Sequence, residues 1–281
     1  MAGAFYAGGK EALLRQIETS YRHAFGPGVV PSLAKGPRRL KGLVVPHAGY
    51  VYSGPIAAHS YTALAADGWP EHFVILGPNH HGLGAPVALC PDDHVTPLGT
   101  VSYDRGMGER ITGGVIEADP EAHREEHSIE VQLPFLQHLN AKVSFVPIAL
   151  TFQEWEVAKE VGEAIAKAAQ GTDALVIASS DFTHVGPNYG QMPPRGTSVA
   201  QFARKQDALA LEKIAALDPK GLQDVVHEHE ITMCGYGAVT AMLVAAKKLG
   251  AREAEVLKYA NSAEITNDHA LAVGYGSVVV R

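Results

Sequence analysis

The chain has 281 residues, 46% of them hydrophobic and 19% charged, with a formal net charge of −7 when histidine is neutral. That length and apolar content supply enough surface for one sizeable core. The acidic balance argues against a nucleic-acid partner, and no apolar stretch approaches the ~20 residues that a membrane span needs.

The segment MAGAFYAGGKEALL lacks the basic start and long apolar run of a signal peptide, so a cytoplasmic protein is expected. A helix is predicted from about Lys10 to Ala24, followed by a Gly/Pro loop and a solvated basic patch, Lys35 to Lys41. Leu43 to Val45 reads as a buried strand that Pro46 stops, with His47 just past its end. Gly49 and Gly54 permit sharp turns, and from Pro55 the pattern is helical. Phe73 to Leu76 is a second buried strand and ends in GPNHHG; Ala85 to Leu89 is another strand. Residues 90–122 are rich in Gly, Pro and Asp, with a short helix near Met107.

In EEHSIEVQLPFLQHL, 125–139, Ile129, Leu133, Leu136 and Leu139 keep helical spacing, and Pro134 kinks or divides the segment. Val143 to Leu150 is a strand, and Glu154 to Ala169 an amphipathic helix with Ala and Lys outward. Ala174 to Ala178 is a third buried strand, ending in SSDFTHVG. After a loop at 186–196 come a helix from Val199 to Ala216 and a short one from Asp218 to Val226. HEHEITMCGYG then feeds a long apolar helix to Leu249, and 254–260 and 270–280 close the chain as strands. This alternation predicts one α/β domain over 1–281, its central, mostly parallel sheet flanked by helices.

Three apolar strands thus end in histidine-bearing turns: VVPHAGY, VILGPNHHG and VIASSDFTHVG. Ligands of α/β sheets collect outside the carboxyl ends of the strands. If the three are parallel neighbours, His47, His80 or His81, and Asp181 with His184 share one rim. Imidazole is a common metal ligand and titrates near pH 7. A lone histidine after a strand is more often a hydrogen-bonded loop residue; three turns with the same placement weaken that reading.

Cys90, within VALCPD, reads as a buried small hydrophobe. Cys234 differs, because Gly235 and Gly237 follow it where a helix begins, and a helix N-terminus favours the thiolate. His127 and Glu130, at i and i+3, are expected on one helix face, able to orient a ligand or relay a proton. Glu126 and Glu130 would repel in a dry pocket, so at most one should be buried and ionised. There is no GxSxG elbow, no P-loop and no GxGxxG after a strand. HEHE at 227–230 has its histidines two apart, not four, and reads as a solvated polar turn.

Taken in order, AGAFY near the start, PHAGYVYSG at 46–54, LGPNHHG at 76–82, EEHSIEVQLPFL at 125–136, SSDFTHVG at 179–186 and MCGYGA at 233–238 resemble the Memo family. Members of that family occur beside two partner families in the prokaryotic AmmeMemoRadiSam set, and their fold is similar to that of the class III extradiol dioxygenases. The resemblance implies metal ligands at His47, His80 and Cys234. It places Asp181 and His184 in the surrounding pocket, His184 for acid–base work, with His81, His127, Glu130 and Tyr50 in the pocket or second shell. Extradiol enzymes hold Fe(II) with two histidines and a carboxylate; a thiolate in place of the carboxylate is softer and shifts preference toward zinc, copper or a differently tuned iron. The resulting expectation is a metal-dependent redox enzyme, iron or copper favoured and zinc possible, acting on a small molecule. The alternatives are a non-catalytic metal- or peptide-binding accessory protein with AMMECR-type and radical-SAM partners, and a zinc hydrolase using the same ligands.

Overall fold

The computed structural model describes residues 1–281. The chain opens with α1 (Lys10–Arg22), β1 (Gly42–Val45), α2 (Tyr50–Asp67) and β2 (His72–Pro78). An excursion follows, built from β3 (Val87–Leu89), β4 (His94–Thr96), β5 (Gly99–Tyr103), α3 (Arg105–Ile111) and β6 (Glu117–Ala118). Next come α4 (Leu133–Leu139), β7 (Ser144–Leu150), α5 (Trp155–Ala168), β8 (Ala174–Ser179) and β9 (His184–Val185). The last part holds α6 (Val199–Ala215), α7 (Pro219–Glu228), α8 (Tyr236–Lys248), β10 (Ala254–Asn261), α9 (Ser262–Thr266) and β11 (Ala272–Val280).

At the centre β1, β8, β2 and β7 run parallel in that spatial order. β11 flanks β1 antiparallel, β10 flanks β11, and β3 lies antiparallel to β7. The predicted α/β architecture with a mostly parallel sheet is the one the chain adopts, with antiparallel edges. Strand alternation sorts the core into two layers. Leu43, Val45, Phe73 and Ile75 pack with Leu13, Ile17, Tyr61 and Phe135 of α1, α2 and α4. Val44, Val74, Leu76 and Val176 pack with α5 and α8 on the other face. Because β8 lies between β1 and β2, the SSDFTHVG turn emerges between the turns that carry His47 and His80.

Three local readings need correction. The helix predicted over 125–139 starts only at Leu133, after a 3₁₀ turn at Glu130–Gln132, with Pro134 tolerated in its first turn. Upstream, the backbone N–H groups of His127 and Ser128 donate to the side chain of Glu126. His127 and Glu130 therefore do not share a helix face. On α5, Ala158, Ala166 and Ala168 face inward and not outward. Together with Gly162, where a Cβ would stand 2.5 Å from the Ala241 carbonyl oxygen of α8, these small residues let the two helices approach. Finally, α2 begins at Tyr50 and not Pro55, and Gly54 is a packing residue: a Cβ there would meet Ser20 Oγ of α1 at 2.5 Å.

Candidate metal centre

His47 is 2% exposed, and its backbone N–H donates to Asp181 Oδ1 at 2.8 Å, fastening the turn after β1 to the turn after β8. The hydrogen bonds around its ring determine which nitrogen carries the proton. Ser179 Oγ donates its one proton to the Ser128 carbonyl at 2.6 Å and accepts from Gln132 Nε2 at 2.7 Å. Gln132 is oriented in turn by Tyr61, whose hydroxyl donates to Oε1 at 2.7 Å. Ser179 can thus only accept from His47 Nδ1, 3.0 Å away, so Nδ1 is protonated and Nε2 keeps a bare lone pair.

His80 reaches the same state by a different route. Its Nδ1 donates to Glu126 Oε1 at 2.9 Å, and its backbone N–H to Oε2 at 2.6 Å. Burial works to raise the Glu126 carboxyl, but the bonds from His80 and the Ser128 amide outweigh it and hold the group well below the usual carboxylate range. A carboxylate behind an imidazole, fixing its tautomer, is the usual outer partner of a metal-binding histidine.

The His47 and His80 rings lie 5.3 Å apart at 82°, so their in-plane lone pairs can converge. His127 joins them: ligating atoms of the three imidazoles lie within 4.8 Å of one another, a group able to hold a metal ion. The His127 ring is stacked nearly parallel on His80, 4.6 Å between centroids, and is covered on its other side by Phe5 at 4.2 Å. Burial, then the neighbouring imidazoles, push His47 well below the ordinary histidine range; burial brings His127 down to about 4. Both rings are therefore neutral at pH 7, with lone pairs free to bind.

Cys234 approaches from the His47 side, with Sγ 3.2 Å from His47 Nε2 and 3.5 Å from the Asp181 carbonyl oxygen. Gln153 holds this segment by donating to the Cys234 carbonyl at 2.8 Å and accepting from the Gly237 amide at 2.9 Å. Enclosure of the thiol, then the Asp181 charge, push Cys234 well above the ordinary thiol range. The start of α8 does not by itself yield a thiolate, contrary to the sequence expectation. A cation would have to supply the missing positive charge. The group whose ligating atoms lie within 4.8 Å of one another is His47, His80 and His127; Cys234, beside His47 alone, is not part of it, although the three imidazoles and the carboxylate behind His80 fit a divalent ion.

Asp181 and His184 line a cavity of about 370 Å³ together with Phe5, Tyr52, His127, Tyr189 and Tyr275. Burial lifts Asp181 to about 6, against the His184 ring and the His47 and Ala48 amides. His184 Nδ1 lies 2.8 Å from the Phe182 carbonyl and 3.0 Å from that of Thr232. Carbonyls only accept, so the proton sits on Nδ1 and Nε2 is a bare acceptor.

Of the remaining expected residues, His81 is exposed. Tyr50 is core: it is buried against Phe135 and donates to the Val131 carbonyl at 2.6 Å. Glu130 stands away from the imidazoles and accepts from Tyr6 at 2.5 Å, anchoring the segment that carries Phe5. It is part-exposed while Glu126 is buried, in keeping with the expectation that at most one of the pair faces a dry site. Glu126, Ser179, Gln132 and Phe5 were not identified from sequence as parts of the site. Position was a signal, since Phe5, Glu126, Gln132 and Ser179 all lie in the motifs already quoted, and for Glu126 the repulsion expected with Glu130 was another.

A family model described as Memo-like protein matches residues 1–279. A MEMO1 family protein of Methanopyrus kandleri is 44% identical over 287 aligned residues, covering 100% of this chain and 97% of its own length. One from Methanothermobacter thermautotrophicus is 42% identical, covering 98% of this chain and 96% of its own. Among solved structures, an uncharacterized protein of Escherichia coli K12 superposes with a TM-score of 0.52 at 15% identity, over 86% of this chain and 100% of that one, which is a likeness of fold alone. The family model and the archaeal relatives span essentially the whole chain, turns and strands alike, and on that footing the chain belongs to the Memo family.

Proposed function

We propose that the protein is a metal-dependent oxidoreductase acting on a small phenolic substrate, with iron or copper held by His47, His80 and Cys234. The observation that carries this reading is the shared tautomer of His47, His80 and His184. Each has its Nδ1 proton committed to the protein, so each offers a bare Nε2. When bound, such an ion supplies one-electron chemistry and a concentrated positive charge. His184 Nε2, on the cavity wall, takes the proton from a substrate hydroxyl. Asp181 holds the His47 turn through its amide bonds. Phe5, Tyr52, Tyr189 and Tyr275 offer flat apolar faces to an aromatic ring.

The cavity lining includes Asp181 and Asp268 but neither lysine nor arginine. Uncharged or cationic catechols should therefore be preferred over carboxylated ones. Metal content by elemental analysis of protein purified without added metal comes first. Oxygen uptake is then measured after reconstitution with iron, copper or zinc, using catechol, dopamine and protocatechuate. Uptake with the first two, and tenfold or more below that with protocatechuate, is expected. No uptake with any metal and catechol would remove the oxidoreductase reading.

The accessory-protein reading draws on Tyr52 and Tyr189, which are exposed where they border the cavity. Under that reading His47→Ala, having lost its metal, would still bind an AMMECR-type or radical-SAM partner with unchanged affinity.

A further inference from the structure

We propose that His81, Glu126 and His127 form a second cation site, adjoining the first at His127. It does not depend on the oxidoreductase reading, since it requires only that the three side chains bind an ion. Both adjacent histidines reach solvent, and the ring of His80 packs on His127. The turn itself is held firmly. Buried Asn79 accepts from the backbone N–H groups of His81 at 3.2 Å and Gly82 at 2.9 Å, and donates to the Leu83 carbonyl at 2.8 Å. Gly82, at φ +66°, supplies the left-handed residue that this bend requires. Only the His81 side chain would lose freedom on binding an ion, which keeps the ordering cost small.

Ligating atoms of His81, Glu126 and His127 lie within 4.8 Å of one another. The Glu126 carboxylate has the capacity. Oε1 accepts from His80 Nδ1 and the amides of His127 and Ser128, but Oε2 accepts only from the His80 amide and retains a lone pair. Two imidazoles and a carboxylate suit a first-row divalent ion. His127 belongs to both groups, to His47 and His80 on one side and to Glu126 and His81 on the other. An ion held at one group could thus pass to the other by exchange of ligands around the shared His127.

The test uses the full chain, freed of metal by a chelator and equilibrated with excess Co(II). Bound metal is counted by elemental analysis, and the thiolate-to-Co(II) absorption reports occupancy of the inner site. His81→Ala, a change at an exposed residue, should hold one Co(II) fewer per chain than the parent, with the thiolate band unchanged. Equal counts in the two proteins would overturn the proposal and leave the inner site standing. Loss of the band in the variant would also overturn it, because His81 would then serve the inner site. A parent protein that binds no Co(II) would remove both sites together.

Discussion

Glu126→Ala is expected to destabilise the protein by about 3–6 kcal/mol, because three backbone N–H groups lose their acceptor at once. The amides of His80, His127 and Ser128 all donate to this one carboxylate, and its side chain is 1% exposed. Each buried amide left without a partner costs roughly 1–3 kcal/mol, and partial access of water near His80 keeps the sum toward the lower end. Glu126→Gln separates the structural role from the metal role. Its carbonyl oxygen can take the place of Oε1, where His80 Nδ1 and two amides converge, but its NH₂ then confronts the His80 amide. A loss of about 1–3 kcal/mol is expected. His80 also loses its charged partner, and outer partners of this kind are typically worth ten- to a hundredfold in metal affinity. Urea denaturation measures the first effect, and competition with a chromophoric chelator the second. A Gln variant that binds metal as tightly as the parent would reduce Glu126 to a backbone cap.

The parts of the fold that were legible share a physical character. β1, β2 and β8 are runs in which nearly every side chain is buried, so composition alone marks them. Their placement at one rim follows from a general property of parallel sheets. What could not be read is everything that depends on partners far apart in sequence. Ile129, Leu133 and Leu136 have helical spacing, but nothing local says that the α-helix begins only at Leu133. The tautomer of His47 depends on Ser179 and Gln132, which are 47 residues apart, and no periodicity reports that hydrogen bond. Cys234 was placed by family resemblance, not by spacing. At Cys234 the field of a helix start is opposed by the enclosure of the thiol and by the Asp181 carboxylate beside it, neither of which a local pattern reports.

Asp207→Asn is expected to abolish a pH dependence of stability that lies outside the metal centre. Asp207 Oδ1 accepts from the Thr183 amide at 2.9 Å and Oδ2 from the Tyr259 hydroxyl at 2.6 Å, so this buried carboxyl fastens the turn that carries Asp181 and His184. β11 comes so close that a Cβ on Gly274 would stand 1.8 Å from Oδ2, which is why only glycine fits there. Burial raises the Asp207 carboxyl from 3.8 to about 6, with the bonds from Thr183 and Tyr259 offsetting part of the rise. The native state therefore holds this proton more tightly than the unfolded chain. The resulting stabilisation is complete below about pH 4 and is lost as pH rises through 6, roughly 3 kcal/mol in all. Asparagine offers the same oxygen to Thr183 and an N–H to the Tyr259 oxygen, but has no proton to lose. Between pH 4 and pH 7 the unfolding free energy of the variant should gain about 2–3 kcal/mol relative to the parent. Other titrating groups, His47, His127 and Asp181 among them, are common to both proteins and cancel in the difference. Urea denaturation at the two pH values checks it, and a difference that stays constant across the range would mean that Asp207 is ionised in both states. Asp207→Ala should behave otherwise: the Thr183 amide loses its acceptor at every pH, so about 1–3 kcal/mol is lost at pH 4, where the protonated parent is at its best.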